Sequence, residues 1–122
     1  MPVVVTNPPR ISLDLVDGLA HFGVATIHEA QGRTGLLRKD IRPNQQDVRI
    51  AGLAVTVTVL PGDNTTIAVA VEQCQAGDIL IVTPTSPCDM GFFGDLLAAS
   101  LKHRGVRAVS YTHLTLPTTP YV

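Results

Sequence analysis

Residues 50–60 read I-A-G-L-A-V-T-V-T-V-L, and this stretch is the most informative one for the fold. In an extended chain the side chains of Val55, Val57 and Val59 lie on one face, and the two threonines between them lie on the other. This alternation of apolar and polar β-branched residues predicts a strand with one buried face. The turn-forming sequence P-G-D-N follows at residues 61–64, which ends the strand.

The next segment, residues 65–74, fits two structures. Its β-branched residues favour a strand, whereas its apolar residues are also spaced i, i+4, as on one face of a helix. Asn64 as an N-cap and Gly77 as a terminator favour the helix. Residues 79–82, I-L-I-V, then predict a short strand that is buried on both faces.

Residues 95–104 carry the clearest helical pattern in the chain. Three basic residues occupy the last turn, where positive charge complements the helix dipole, and Gly105 closes the helix. A further strand starts at Val106. We interpret Arg104 and Arg107 as residues that offset this dipole and solvate a surface.

Two shorter helices are predicted before the first strand. Ser12 is a suitable N-cap for a helix that ends near Gly23, and Thr26 could cap a second one with Gly32 as its C′ residue. The charged, turn-rich residues 33–49 predict a loop. Two helices followed by strand, helix, strand, helix and strand indicate an α/β domain with right-handed crossovers.

Composition limits the classes of function. A chain of 122 residues with 45% hydrophobic residues suits one globular domain. Its formal net charge of −1 provides no basic field for nucleic acid or an anionic membrane. No apolar run reaches membrane-spanning length, and the first residues do not resemble a signal peptide. Cys74 and Cys88 form no metal-binding pair, and two such thiols fit a reducing cytoplasm.

Residues 91–97, G-F-F-G-D-L-L, place two glycines and an aspartate directly before the clearest helix. Free backbone N–H groups and the helix dipole allow a carboxylate or phosphate to bind at such a start. The stretch matches neither the P-loop pattern nor G-x-G-x-x-G. Taken alone, the motif favours an ordinary turn with Asp95 as N-cap.

Two other candidates have simpler interpretations. His28 and Glu29 resemble the start of H-E-x-x-H, but Gly32 stands where the second histidine would be. We therefore expect a polar helix surface there. Cys74 is expected to pack as a small hydrophobic side chain.

Considered together, the segments are more specific. T-I-H-E-A-Q-G-R-T-G-L-L, A-G-L-A-V-T-V, P-G-D-N, A-V-E-Q-C-Q-A-G-D-I-L-I-V and G-F-F-G-D-L-L-A-A-S-L-K-H-R-G-V-R-A occur in this order. Over about residues 10–109 the chain resembles the class II 4-hydroxy-4-methyl-2-oxoglutarate and 4-carboxy-4-hydroxy-2-oxoadipate aldolases. That family also contains the RraA-type inhibitors of ribonuclease E.

The resemblance implies an α/β fold of the β/β/α swivelling-domain type, in trimers or hexamers with active sites between subunits. It implies retro-aldol cleavage of a small 2-oxo acid to pyruvate with Mg²⁺ or Mn²⁺ and without a Schiff-base lysine. Related members also decarboxylate oxaloacetate through the same enolate. In such chemistry a metal ion withdraws electrons as the C–C bond breaks.

The resemblance also assigns residues. It implies that Gly94, Asp95, Leu96 and Leu97 hold the substrate carboxylate on backbone N–H groups at the helix start. Asp95 takes the catalytic position near a water that relays a proton. Asn64 corresponds to a polar residue that lines the same cavity.

The resemblance stops near residue 109. A D-A-G-x-R-D type motif, whose arginine binds substrate and whose last aspartate anchors the metal, has no counterpart, so no metal ligand is assigned to this chain. We expect residues 1–109 to be the N-terminal part of the family domain. Residues 110–122 resemble translated sequencing-adapter read-through and are expected to be artefactual, although residues 111–116 could form an edge strand.

These features predict a fragment of a cytoplasmic, metal-dependent pyruvate aldolase that is inactive as it stands. Two alternatives stay open. One is an RraA-type regulator that binds and inhibits ribonuclease E, and the other is an inert truncated domain.

Overall fold

The described residues form a single five-stranded sheet with four helices. The computed structural model describes residues 3–39, 41–86, 93–111 and 114–117. The helices are α1 (Leu13–Leu19), α2 (Val24–Ala30), α3 (Thr65–Gln73) and α4 (Asp95–His103). The strands are β1 (Arg42–Pro43), β2 (Leu53–Val59), β3 (Asp78–Pro84), β4 (Ala108–Tyr111) and β5 (Leu114–Pro117). The predicted α/β class is confirmed.

The sheet has the strand order β1-β5-β4-β3-β2. Strands β2, β3 and β4 are parallel, with Val55 opposite Leu80 and Leu80 opposite Val109. Helices α3 and α4 form the connections between these strands and contact each other. The core lies between these helices and one face of the sheet, and its most deeply buried side chains include Val59, Ile67, Leu80, Leu101 and Val109.

Burial along the strands follows from this one-sided packing. In β2 the three valines point toward the helices and the intervening threonines are exposed, as predicted. The predicted strand at residues 79–82 is confirmed as part of β3. The predicted burial of both its faces was wrong, because Ile79 and Ile81 are only half-buried and Thr83 is exposed. These three side chains lie on the face opposite the helices, which the described residues leave partly open.

Two helix ends lie where the capping residues in the sequence predicted them. Ser12 caps α1, since its hydroxyl accepts the Asp14 N–H at 3.2 Å. Gly32 has φ 81° and follows α2, and the Arg33 N–H reaches the His28 carbonyl at 2.8 Å. That bond is characteristic of a Schellman C-cap, as predicted.

The start of α2 differs from the prediction. The N-cap residue is Gly23, so Thr26 is the third helical residue and not a cap. Helix α1 also ends earlier than expected, with Ala20 as its C-cap.

Two strands, β1 and β5, differ from the sequence-based expectation. Strand β1 falls within the expected loop at residues 33–49. Strand β5 belongs to the tail, pairs antiparallel with β4 and parallel with β1, and is therefore not an edge strand. Such pairing depends on residues far apart in the chain, which local patterns do not report.

Cys74 packs as a small hydrophobic residue, as predicted. Its thiol is buried and donates to the Ala70 carbonyl at 3.4 Å. Burial, together with the nearby Asp78 carboxylate, raises the pKa of the Cys74 thiol to about 11. The thiol is therefore protonated and unreactive at neutral pH.

Candidate functional site

Helices α3 and α4 begin at the same edge of the sheet. Strands β2 and β3 are parallel and in register, so their carboxyl ends at Val59 and Pro84 lie side by side. The Thr85 N–H donates to the Val59 carbonyl at 2.8 Å and holds these ends together. Ligands of open α/β sheets bind beyond the carboxyl ends of the strands, so this edge is the natural position for a site.

The start of α3 is closed by a side chain of the chain itself. One carboxylate oxygen of Asp63 accepts the Thr65 N–H at 2.9 Å and the Thr66 N–H at 3.2 Å. The other accepts the Thr66 hydroxyl at 2.7 Å. These bonds, the Thr66 hydroxyl foremost, hold the pKa of Asp63 below its ordinary value of 3.8. An added anion would have to displace Asp63.

Asn64 occupies the N-cap position of α3, but its side chain makes no capping bond. Its φ of −92° and ψ of −16° are helical, whereas a capping residue normally has extended geometry. The predicted capping role of Asn64 was therefore wrong, and Asp63 performs it. Asn64 is exposed at the carboxyl edge, and its predicted contact with substrate remains a prediction.

The start of α4 has a different construction. Gly94 is the N-cap residue and Asp95 is the first helical residue, one position later than the capping role considered from sequence. The Ala98 N–H bonds to the Gly94 carbonyl at 3.0 Å. Within the described ranges no acceptor faces the N–H groups of Leu96 and Leu97, and glycine supplies no capping side chain.

No described residue covers the start of α4. A Cβ added at Gly94 would meet nothing within 4 Å. Asp95 is exposed, and the Leu96 side chain is 83% exposed, which is unusual for leucine. Leu97 is half-buried and packs against the core, so it anchors the first turn.

Phe93 was not recognised from sequence. Its ring lies 5.8 Å from that of Tyr111, centroid to centroid, and both rings pack against the core. This contact ties the chain before α4 to the end of β4. The sequence signal that could have identified Phe93 is an aromatic residue directly before a glycine at the start of a helix.

Two cavities bounded by described residues do not contain the predicted site residues. One, of about 300 Å³, lies beside β2 and α3. The other, of about 710 Å³, is lined by residues 42–48 and is broad. A cavity shared by Asn64 and Gly94–Leu97 therefore remains a prediction, and Gly91 lies outside the described residues.

The described side chains do not fit a divalent cation. Nowhere in residues 3–39, 41–86, 93–111 and 114–117 do three histidine, cysteine, aspartate or glutamate side chains come together as ligands. At the carboxyl edge, both carboxylate oxygens of Asp63 already cap α3. Asp95 is thus the remaining carboxylate there among the described residues, and one carboxylate does not make a metal site.

No helix among the described residues is long and apolar enough to cross a membrane.

The opposite, amino edge of the sheet holds polar contacts that the sequence did not indicate. Arg10 forms an ion pair with the fully buried Asp78, whose second oxygen accepts the Gln75 N–H at 2.8 Å. Arg107 contacts Asp17 at 2.6 Å, so it joins two elements and does not merely solvate a surface.

Comparisons with known proteins agree with the fold. A protein of Halalkalibacterium halodurans named "Putative 4-hydroxy-4-methyl-2-oxoglutarate aldolase" is 27% identical over 97 residues, which cover 80% of this chain and 46% of that protein. The crystal structure of an uncharacterized protein from Pseudomonas syringae pv. tomato superimposes with a TM-score of 0.68 at 20% identity, covering 91% of this chain and 52% of that one. The chain spans about half the length of these relatives.

The family model described as "RraA-like: Aldolase/RraA" matches residues 14–110. The match includes both helix starts at the carboxyl edge and Asp78 at the amino edge, whereas Arg10, the ion-pair partner of Asp78, lies before the matched residues. Because it extends over most of the sequence, the chain belongs to the RraA-like, Aldolase/RraA family.

Proposed function

We propose that the chain carries the carboxylate-binding site of a 2-oxo acid lyase of the aldolase type. The proposed substrates are 4-hydroxy-4-methyl-2-oxoglutarate and 4-carboxy-4-hydroxy-2-oxoadipate, which yield pyruvate, with oxaloacetate decarboxylation as a related activity. Family membership supports the reaction class. The observation that carries the site is the contrast between α3, whose start is closed by Asp63, and α4, whose start has no capping side chain.

The proposed binding mode uses the backbone. The N–H groups of Leu96 and Leu97 would donate to the substrate carboxylate, and the positive end of the α4 dipole would favour its charge. Gly94 would matter through the absence of a side chain, because the space in front of the N–H groups stays accessible.

Asp95 would serve proton transfer and not affinity. Its carboxylate lies in the first turn of α4 and carries the same charge as the substrate carboxylate, so it opposes anion binding. Through a water, Asp95 could accept the proton that the substrate hydroxyl loses as the C–C bond breaks. It could then return a proton to the pyruvate enolate.

The described residues supply no ligand set for Mg²⁺ or Mn²⁺. We therefore assign no step to a metal ion and propose that residues 1–122 alone release no pyruvate. A cytoplasmic homotrimer or homohexamer, in which neighbouring subunits complete the site, remains part of this proposal. The exposed apolar side chains of α1 and α2 are consistent with association, and they include Leu15, Leu19 and Val24.

The first experiment tests the site without requiring activity. Pyruvate is titrated into the isotopically labelled chain, and backbone amide shifts are followed by NMR. The amides of Leu96 and Leu97 should move most, and those of Thr65 and Thr66 should stay unchanged because Asp63 occupies them. Equal shifts at both helix starts, or none at α4, would remove the support for the site.

Substitutions separate the two proposed roles. Gly94→Val should weaken pyruvate binding by roughly tenfold, about 1.4 kcal/mol, since the added side chain fills the approach to the N–H groups. Asp95→Asn should bind pyruvate as well as or better than the parent chain, because a repulsive charge is lost. Weaker binding in Asp95→Asn would show that this carboxylate contributes to ligand binding, for example by accepting a hydrogen bond from a bridging water.

The second experiment tests the reaction. A coupled lactate dehydrogenase assay with Mg²⁺ or Mn²⁺ compares the chain with a chimera in which a family segment containing the R-D motif replaces residues 110–122. Pyruvate release is expected from the chimera and not from the chain. Release by the chain would refute its proposed inactivity. A folded, metal-loaded but inactive chimera would favour the RraA-type regulator, which binds ribonuclease E.

A further inference from the structure

Strand β2 is a free edge of the sheet. In the order β1-β5-β4-β3-β2 it pairs with β3 on one side, and no described residue pairs with it on the other. In a parallel strand every second residue directs its backbone N–H and C=O away from a given neighbour. Strand β2 therefore offers a row of backbone donors and acceptors that favours pairing with another strand.

We call residues 3–6, V-V-V-T, the strap, and its three valines lie beside this edge. A cavity of about 300 Å³ is bounded by Val3, Val4 and Val5 on one side and by β2 and α3 on the other. The three valine side chains are 82%, 51% and 68% exposed. The strap thus stands apart from β2 across a cavity, with a β-branched sequence suited to a strand.

The base of the strap is fixed to the sheet. Arg10 forms its ion pair with buried Asp78, which lies opposite Leu53 at the amino end of β2. The residues that precede Arg10 in the sequence lie along the cavity, and Pro8 is one of its lining residues. The strap therefore runs antiparallel to β2. Asn7 has φ 50°, a left-handed conformation that asparagine tolerates, and it forms the bend between strap and base.

We propose that the strap closes onto β2 of the same molecule as an additional antiparallel strand. Closure would fill the cavity, bury exposed valine side chains and pair the free edge of β2. Pro8 and Pro9, which lack N–H groups, limit the pairing to the strap itself. The device would protect the edge from pairing with other chains.

Hydrogen exchange of the β2 amides, Leu53–Val59, tests this proposal. In the parent chain the amides of β2 that face away from β3 should be protected. Val4→Asp places a charge in the closed strap, so these amides should exchange about tenfold faster or more. Val24→Asp is the matched control, because Val24 is 73% exposed on α2 and does not line the cavity. Val4→Pro, which removes one N–H from the strap, should resemble Val4→Asp.

The amides of β3 report on the fold in the same samples and should exchange alike in all four proteins. If the outward β2 amides of the parent exchange as fast as those of Val4→Asp and Val4→Pro, the proposal is wrong. It is also wrong if their protection rises with protein concentration, because the strand would then come from a second copy.

Discussion

The two edges of the parallel sheet differ in how their polar groups are used. At the amino edge, the Asp78 side chain is fully buried and bonded to Arg10 and to the Gln75 N–H. At the carboxyl edge, α4 begins with exposed residues and no capping side chain, and a Cβ at Gly94 would meet no described atom within 4 Å. The amino edge is closed by partners from within the chain. At the carboxyl edge Asp63 closes the start of α3, and the start of α4 leaves its donors available among the described residues.

This difference follows from the direction of the strands. Every crossover helix in a parallel sheet begins beyond the carboxyl ends of the strands, so free N–H groups and positive dipole ends collect there. The amino ends receive the returning chain, where buried polar groups must be paired or they destabilise the fold. Substitutions at the amino edge should therefore affect stability, and those at the uncapped start of α4 should affect ligand binding.

The largest expected effect is that of Asp78→Ala. The change leaves Arg10 and the Gln75 N–H without their acceptor inside the sheet edge. Removing one partner of a buried ion pair costs about 3–5 kcal/mol of unfolding free energy, and partial exposure of Arg10 favours the lower value. Urea denaturation measures it. Asp14→Ala, at an exposed position of α1, should cost less than about 1 kcal/mol. Equal losses in both variants would contradict the comparison.

A smaller loss is expected for Arg107→Ala. Arg107 donates to Asp17 at 2.6 Å and to the Ala51 carbonyl at 2.8 Å, and it is partly exposed. We expect a loss of about 1 kcal/mol, part of which high salt removes. Arg33→Ala is the control, because the exposed pair of Arg33 and Glu29 spans 3.5 Å and should contribute almost nothing. A loss in Arg33→Ala as large as that in Arg107→Ala would refute this prediction.

Asp63→Asn should give a pH-dependent effect at the carboxyl edge. The pKa of Asp63 is lowered in the folded chain, so its ionised form adds stability above its unfolded pKa. This contribution decreases as the pH falls below 3.8 and is lost as it passes the folded pKa. Denaturation midpoints of parent and variant should therefore differ at neutral pH and converge in acid. A difference that is constant with pH would mean that charge is not involved.

The smallest effect on stability is expected for Gly94→Ala. Its new Cβ has no neighbour within 4 Å among the described residues, and its φ of −139° suits any residue. The unfolding free energy should therefore change by less than about 0.5 kcal/mol. Gly52→Ala is the paired test at the amino edge, where the Cβ would lie 2.6 Å from the Gly77 carbonyl oxygen. It should destabilise by about 1–3 kcal/mol. Similar stabilities for the two alanine variants would remove the distinction between the edges.

Much of the fold was predictable because its signals are local. The alternation in β2 reports one buried face, Ser12 caps α1, and Gly105 with φ 79° closes α4 as predicted. For the candidate site, the position of Asp95 at the start of α4 followed from two preceding glycines and a helical pattern. The start of a helix, a turn and the alternation of a strand each depend on a few neighbouring residues. They can therefore be predicted directly from the sequence.

Only the tertiary structure decided features that join distant residues. Arg10 and Asp78 are 68 positions apart, and no spacing rule connects them. The insertion of β5 between β1 and β4 likewise depends on pairing across the chain. Asp63, and not Asn64, caps α3, although the two residues are adjacent. The backbone angles of Asn64 are helical, and its side chain makes no capping bond. Sequence patterns determine which elements form, whereas the partners of buried polar groups depend on how those elements meet.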